Sequence, residues 1–241
     1  MSKVKPYKDS DLSKKEQVAQ MFDTISGEYD SLNRVISFGI DVKWRKKVVK
    51  MISNEHPENI LDIATGTGDL AVNLAETKAK KIIGLDISQG MLDIGKAKIK
   101  RKNLEQTVEM MVGDSEHMPF EDNSFDAITV AFGIRNFENL EIGLKEIQRV
   151  LKPKGTFVIL ETSVPTKFPF KQGYNIYTKY LLPWIGRLFS KDRNAYKYLS
   201  ESASKFPFGE KLNNILRKSG FINVKDFPQT FGVATIYKSS K

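Results

Sequence analysis

The sequence predicts an α/β fold, a doubly wound and mostly parallel sheet with helices on both faces. Three observations carry that expectation. Short apolar runs that suit buried strands alternate with stretches that suit helices between residues 58 and 165. The first run feeds directly into a glycine-rich turn, Asp62-Ile63-Ala64-Thr65-Gly66-Thr67-Gly68-Asp69. The second run ends at Asp86, and the third is followed at once by Gly113-Asp114-Ser115.

Residues 1–57 read as a polar, helical N-terminal lid. Ser13 followed by Glu16 fits a capping box, and Val18, Met21, Phe22 and Ile25 continue it as an apolar stripe. A second helix is expected over Val42–Ile52, with Trp44, Val48, Val49 and Ile52 on one side. In the cofactor-binding core, residues 58–165, strands are expected at Asn59–Ile63, Lys81–Leu85, Val108–Val112, Phe125–Phe132 and Gly155–Glu161. Helices fall between them at Leu70–Ala75, Ser88–Lys102 and Leu140–Leu151, the last stopped by Pro153. Residues 166–218 break the alternation and read as a helical insertion capping the carboxyl edge of the sheet. Phe221–Phe227 and Phe231–Lys238, with Gln229 near the turn, complete seven strands within residues 219–241. The whole is read as one domain over residues 1–241.

Composition removes several chemistries. With no cysteine there is no disulfide scaffold, thiolate nucleophile or cysteine zinc site, and two histidines make a multi-histidine metal centre a poor expectation. No metal is therefore expected. The first residues lack the apolar core of a signal peptide, and no apolar run approaches the ~18 residues of a membrane span. A cytoplasmic location is expected. The net charge of +9 suits nucleic acid, an anionic membrane surface or plain solubility alike.

In an open α/β sheet, ligands bind beyond the carboxyl ends of the strands, where strand order reverses. Gly66 and Gly68 let the backbone turn tightly and approach a ligand, and the helix behind them offers free N–H groups. A turn with no ligand, or one for a dinucleotide, would read the same way, since Gly66–Ala71 also satisfies G-x-G-x-x-G/A. Asp62 argues for S-adenosylmethionine, because a carboxylate there can meet an ammonium group and would repel a pyrophosphate. Asp86, 20 residues after Gly66, can accept both ribose hydroxyl protons, which fits either cofactor. Asp114 and Ser115 can receive an adenine amino group, with His117-Met118-Pro119-Phe120 beside the ring.

At this point residues 55–165 resemble a class I methyltransferase. More narrowly, the chain resembles the ubiquinone/menaquinone biosynthesis C-methyltransferase family over nearly its whole length. The matching pieces are Met21–Asn33, the Trp44-Arg45 helix, Asp62–Asp69 and Phe132-Gly133-Ile134-Arg135-Asn136. The resemblance implies S-adenosylmethionine as cofactor, with Thr67, Asp86, Asp114 and Ser115 touching it. It also implies C-methylation of a prenylated quinol, demethylmenaquinol to menaquinol first, with a benzoquinol as alternative substrate. A hydroquinol ring carbon is nucleophilic enough mainly once a hydroxyl loses its proton, so a base or a cation beside that oxygen is needed. Arg135 is expected to stabilise the phenolate, Asn136 to donate to the other ring oxygen, and Tyr29 with Asp30 to orient the ring or relay a proton from the lid.

The insertion holds 11 of the 25 aromatic residues, and 11 Lys and Arg against 3 Asp and Glu. Tyr174, Tyr177, Tyr180, Leu181, Leu182 and Trp184 could line a groove for a prenyl tail. Lys171, Lys179, Arg187, Lys191, Arg193 and Lys197 could meet anionic headgroups, which suits transient contact with the inner face of a membrane. A packed subdomain with a solvated lysine face reads the same way. No nucleic-acid partner is expected, and a homodimer is compatible with the reading. Methylation of another small molecule, nucleic-acid methylation, nicotinamide chemistry and a non-catalytic adenosyl-binding module stay open at this stage.

Overall fold

The computed structural model describes residues 4–181 and 192–241. Leu182, Trp184, Arg187 and Lys191 lie outside the described residues, as does the side chain of Arg193. Two N-terminal helices come first, α1 (Lys14–Ile36) and α2 (Ile40–Ser53). The expected capping box is present: Glu16 N donates to the Ser13 hydroxyl, and Ser13 N donates to Glu16 Oε2 at 2.8 Å. The α/β core follows as β1 (Asn59–Ile63), α3 (Asp69–Leu74), β2 (Lys81–Asp86), α4 (Gln89–Arg101), β3 (Val108–Val112), β4 (Phe125–Ala131), α5 (Leu140–Val150) and β5 (Leu151–Thr162). Then come α6 (Phe170–Ile176), α7 (Arg193–Lys205), α8 (Glu210–Lys218), β6 (Ile222–Gln229) and β7 (Ala234–Ser240).

The seven strands form one sheet in the order β3-β2-β1-β4-β5-β7-β6. The first five are parallel, and β7 runs antiparallel to both β5 and β6. Strand order reverses between β1 and β4, which places a crevice at the carboxyl ends of these two strands. Alternate strand residues supply the two faces. Ile60, Ile82, Val158 and Leu160 pack with α2, α3 and α4, whereas Leu61, Ile63, Phe157 and Ile159 pack with α5 and α8.

A third, smaller cluster joins Val18, Met21 and Ile25 of α1 to Met91 of α4 and to Ala195 and Tyr198 of α7. It lays α1 and α7 over the carboxyl edge. The stretch read as one insertion thus divides. Its first helices cap that edge, while α8 returns to a sheet face through Leu212 and Leu216.

Two boundaries differ from expectation by three residues or more. Helix α5 stops at Val150, and β5 begins at once, four residues before Gly155. The register against β4 jumps from Phe125↔Leu151 to Ala127↔Thr156, so Pro153 sits in a bulge where no ladder donor is needed. Phe231 lies in the turn between β6 and β7 at φ 59°, not in a strand.

Candidate active site

The crevice opens into a cleft continuous with solvent. Its floor is the ends of β1, β2 and β4, and its roof is α1. Of the residues expected at the site, Tyr29, Gly66, Asp86, Asp114, Ser115 and Asn136 line it. Asp62, Thr67, Gly68 and Arg135 are not among its lining residues. Val18, Phe22, Leu85, Ile87, Met91 and Phe137 give it apolar walls.

The floor is built from unusual backbone. Ala64 and Phe132, at the ends of β1 and β4, have φ of 51° and 57°, and Gly66 and Gly68 have 58° and 75°. Non-glycine residues in that region are strained and concentrate at functional sites. A Cβ on Gly133 would lie 2.4 Å from Ala64 Cβ, an atom fixed to backbone. Gly133→Ala is therefore expected to destabilise the fold by about 1–3 kcal/mol. Ala64→Gly in the same chain should restore most of that loss, and urea unfolding of the single and double variants measures both.

At one end of the cleft, Asp86 accepts from Gly66 N at 2.8 Å and from Ser88 N at 2.9 Å, each through a different carboxylate oxygen. Burial pushes its carboxyl up, against the pull of these backbone donors. Each oxygen keeps a second lone pair, as two ribose hydroxyls require. Asp114 accepts from Lys15 Nζ at 2.6 Å and from Glu116 N at 2.9 Å. Its burial works upward, but the Lys15 hydrogen bond and the other donors outweigh it and hold the carboxyl low. His117 approaches Asp114 at 3.3 Å from an exposed position, at the edge of the site.

Asp62 lies under the floor. Thr65 and Thr129 hydroxyls each donate to one of its oxygens at 2.6 Å. Burial pushes its carboxyl up to about 6, and those hydroxyls and Arg45 recover only part of the shift. A carboxyl raised from 3.8 to about 6 binds more protons folded than unfolded in that window. Its contribution to stability is full below pH ~4 and is lost as pH rises through ~6. Asp62→Asn should flatten this decline and gain up to about 3 kcal/mol at pH 8, measured by urea unfolding at pH 5 and pH 8.

The lid is fastened by charge. Thr67 Oγ1 donates to Asp30 Oδ1 at 2.6 Å and accepts from Lys98 Nζ at 2.9 Å. Lys98 also meets Asp30 at 2.5 Å and Asp69 at 2.6 Å, and Arg34 joins Asp69 to Asp41. Asp23 Oδ1 takes the Ser88 hydroxyl at 2.6 Å and Gly90 N at 2.9 Å, docking α1 on the start of α4. Helix α1 is thereby tied to the glycine turn itself. Lys15, Asp23 and Lys98 escape sequence reading, because each is one charged residue in a polar helix.

At the other end, the Tyr198 hydroxyl donates to Asn136 Oδ1 at 3.1 Å, leaving the Asn136 amide N–H groups to the cleft. Tyr29 packs edge-on to Phe22 at 5.7 Å. Burial raises its hydroxyl, with the Arg135 charge and Asn33 pulling the other way. Arg135 lies behind Asn136, its Nη1 held by Glu161 Oε1 at 2.6 Å. Asp86, Asp114 and Ser115, the apolar walls and the free space beside Gly66 fit an adenosyl group.

A family model described as the ubiE/COQ5 methyltransferase family matches residues 10–241. The chain is 46% identical over 240 residues to a demethylmenaquinone methyltransferase of Bacteroides fragilis, covering 99% of this chain and 98% of that one. It is 46% identical over 230 residues to the ubiquinone/menaquinone biosynthesis C-methyltransferase UbiE of Geotalea uraniireducens, covering 95% and 97%. Among solved structures, a SAM-dependent methyltransferase from Thermotoga maritima shares the fold at a TM-score of 0.64 and 21% identity, covering 92% of this chain and 99% of that one.

Proposed function

The chain belongs to the ubiE/COQ5 methyltransferase family, and on that footing we propose that it methylates a ring carbon of a prenylated quinol, converting demethylmenaquinol to menaquinol. S-adenosylmethionine, when bound, supplies the electrophilic methyl group. The observation that carries the reading is one cleft with Asp86, Asp114 and Ser115 at one end and Tyr29 and Asn136 at the other. The residues at the first end would hold the adenosyl group, and those at the second would meet the ring that accepts the methyl.

The residues divide the work accordingly. Asp86 takes the ribose hydroxyls, and Asp114 and Ser115 the adenine edge. Gly66, Thr67 and Gly68 shape the turn, and Asp62 supports it from beneath the floor through the Thr65 and Thr129 hydroxyls. The Asn136 amide donates to one ring oxygen, and Arg135 stabilises the negative charge that develops on the other as carbon attacks. Tyr29 orients the ring from the lid. Alignment of ring carbon and methyl supplies much of the remaining acceleration.

The substrate tail has a candidate exit. Phe38, Phe168, Ile176, Tyr180 and Phe231 are all more than 60% exposed, and Phe170 stacks on Phe231 at 3.8 Å. Lys171 and Lys179 lie on the same segment. Such an aromatic and basic face suits transient contact with an anionic bilayer, at about 1 kcal/mol per cation. Among the described residues, no helix is long and apolar enough to cross a membrane. The aromatic and basic face is what supports peripheral contact with the inner face of a membrane in this reading.

The test supplies labelled S-adenosylmethionine with reduced demethylmenaquinone, a demethoxybenzoquinol and RNA in parallel. Label in the naphthoquinol is expected. Label only in the benzoquinol moves the assignment to the second reading, whose pathway the name of the Geotalea relative includes beside the first. Label only in RNA overturns both.

A further inference from the structure

Lys15 stands where helix chemistry disfavours it. Helix α1 opens with Ser13 as its cap, followed by Lys14, Lys15 and Glu16, and a cation in the first turn opposes the helix dipole. Lys14 has an evident use. Its Nζ donates to the Arg135 and Phe137 carbonyls at 3.2 Å and 2.6 Å, and its backbone N donates to Glu138 Oε1 at 3.0 Å. Gln17, fully buried, donates through Nε2 to the Leu12 carbonyl at 2.8 Å. These contacts pin the first turn of α1 over the carboxyl edge of the sheet and fix the point from which Lys15 extends. Lys15 itself lines the cleft together with Asp114, Ser115 and Glu116.

The Lys15 ammonium lies 2.6 Å from Asp114 Oδ2 and donates one proton to it. Among the described residues, nothing accepts its other two. The Asp114 hydrogen bond raises the ammonium above its ordinary value, so it remains a donor at working pH. Asp114 Oδ1 accepts from Glu116 N at 2.9 Å and keeps a second lone pair. This end of the cleft thus presents an acceptor and a donor side by side. Adenine offers the matching couple. Its amino group donates, and a ring nitrogen accepts on either side of it, N1 on one edge and N7 on the other. An Asn or Gln amide reads adenine through the same couple. In this chain the acceptor comes from the loop after β3 and the donor from the lid.

We propose that Lys15 is a cofactor-binding residue, donating to a ring nitrogen of adenine while Asp114 accepts from the adenine amino group. This rests on the placement of adenine at Asp114 and Ser115 and deepens it. Adenine recognition is complete only with α1 in place, because half of the couple belongs to the lid. A purine that lacks the nitrogen leaves the ammonium facing a carbon, desolvated and without its acceptor. The cost falls on binding, so it is read without turnover and without any assumption about the methyl acceptor.

The test is calorimetric titration of the full chain with S-adenosylhomocysteine and with its 1-deaza and 7-deaza analogues, each of which lacks one acceptor nitrogen. The parent is expected to bind one of the two analogues about tenfold more weakly than S-adenosylhomocysteine. Lys15→Met should weaken S-adenosylhomocysteine about tenfold as well. It should bind that same analogue within about threefold of the parent, because the two changes delete one contact. Should Lys15→Met melt early, Lys15→Arg, which keeps the charge and the donors, must still prefer S-adenosylhomocysteine over the analogue. A Lys15→Met affinity for S-adenosylhomocysteine within about threefold of the parent overturns the proposal, and so does a loss that multiplies with the loss in both analogues. In either case Lys15 only fastens the lid to Asp114. Asp114→Ala separates this proposal from the placement it rests on. If that variant binds S-adenosylhomocysteine within about threefold of the parent, adenine lies elsewhere and both fall. If it loses about tenfold or more while Lys15→Met does not, this proposal falls alone.

Discussion

Arg135→Ala will turn over a quinol about a thousandfold more slowly than the parent chain, with the loss in kcat and little change in S-adenosylhomocysteine affinity. Arg135 is not among the residues lining the cleft, and its guanidinium lies behind Asn136, so the cofactor end should not sense its removal. A cation that acts only as charge develops on the ring oxygen contributes to the transition state more than to ground-state binding. The same substitution should cost about 3–5 kcal/mol of stability, because Glu161 is left as a buried charge without its partner. Arg135→Ala with Glu161→Gln should recover most of that stability and none of the rate. Urea unfolding and steady-state kinetics on the three proteins test both halves. A rate within tenfold of the parent for Arg135→Ala would remove the arginine from the chemistry.

Asp86→Ala carries the largest expected effect on cofactor affinity. The carboxylate already organises the turn by taking the N–H groups of Gly66 and Ser88. Removing it frees both donors and deletes two charge-assisted acceptors for the ribose. Each such hydrogen bond contributes about 1.5–3 kcal/mol, so affinity should fall at least about 100-fold. Asp86→Asn keeps one acceptor oxygen and should fall between. Calorimetric titration with S-adenosylhomocysteine measures this directly, and a change below about threefold would place the ribose elsewhere in the cleft. Because burial raises the Asp86 carboxyl, binding should also weaken as pH falls, and by less in Asp86→Asn.

Much of this architecture was legible because it is periodic or glycine-rich. Asn59–Ile63 and Val108–Val112 were bounded correctly by their apolar runs, and Ser13 with Glu16 marked the start of α1. The carboxyl ends of β1 and β2 could be aligned from Asp62 and Asp86 without coordinates. What escaped depends on partners far apart in sequence. Glu161 closes the apolar run Phe157–Leu160 and reads as the end of a strand. Only the register that sets Ala131 against Leu160 brings it beside Arg135. Lys98 sits on a helix with Lys96, Lys100 and Arg101, where a lysine ordinarily faces water. Asp62 reads as a site residue from its place beside the glycines, and nothing local announces Thr129, 67 residues on, which holds it beneath the floor. Pro153 reads as a helix stop, but a bulge holds it within a strand.

The sheet order has a consequence for how the chain is made. Strand β7 leaves the ribosome after β6 yet lies between β6 and β5. Until residues 234–240 emerge, β6 has no neighbour and β5 has an open edge, although the five parallel strands and their helices are already synthesised. A nascent chain arrested before Ala234 would therefore hold a nearly complete cofactor crevice beside an unpaired strand, the kind of edge that recruits another chain. Arrested chains of increasing length should stay sticky and protease-sensitive up to that point, and become resistant together once β7 can slot in.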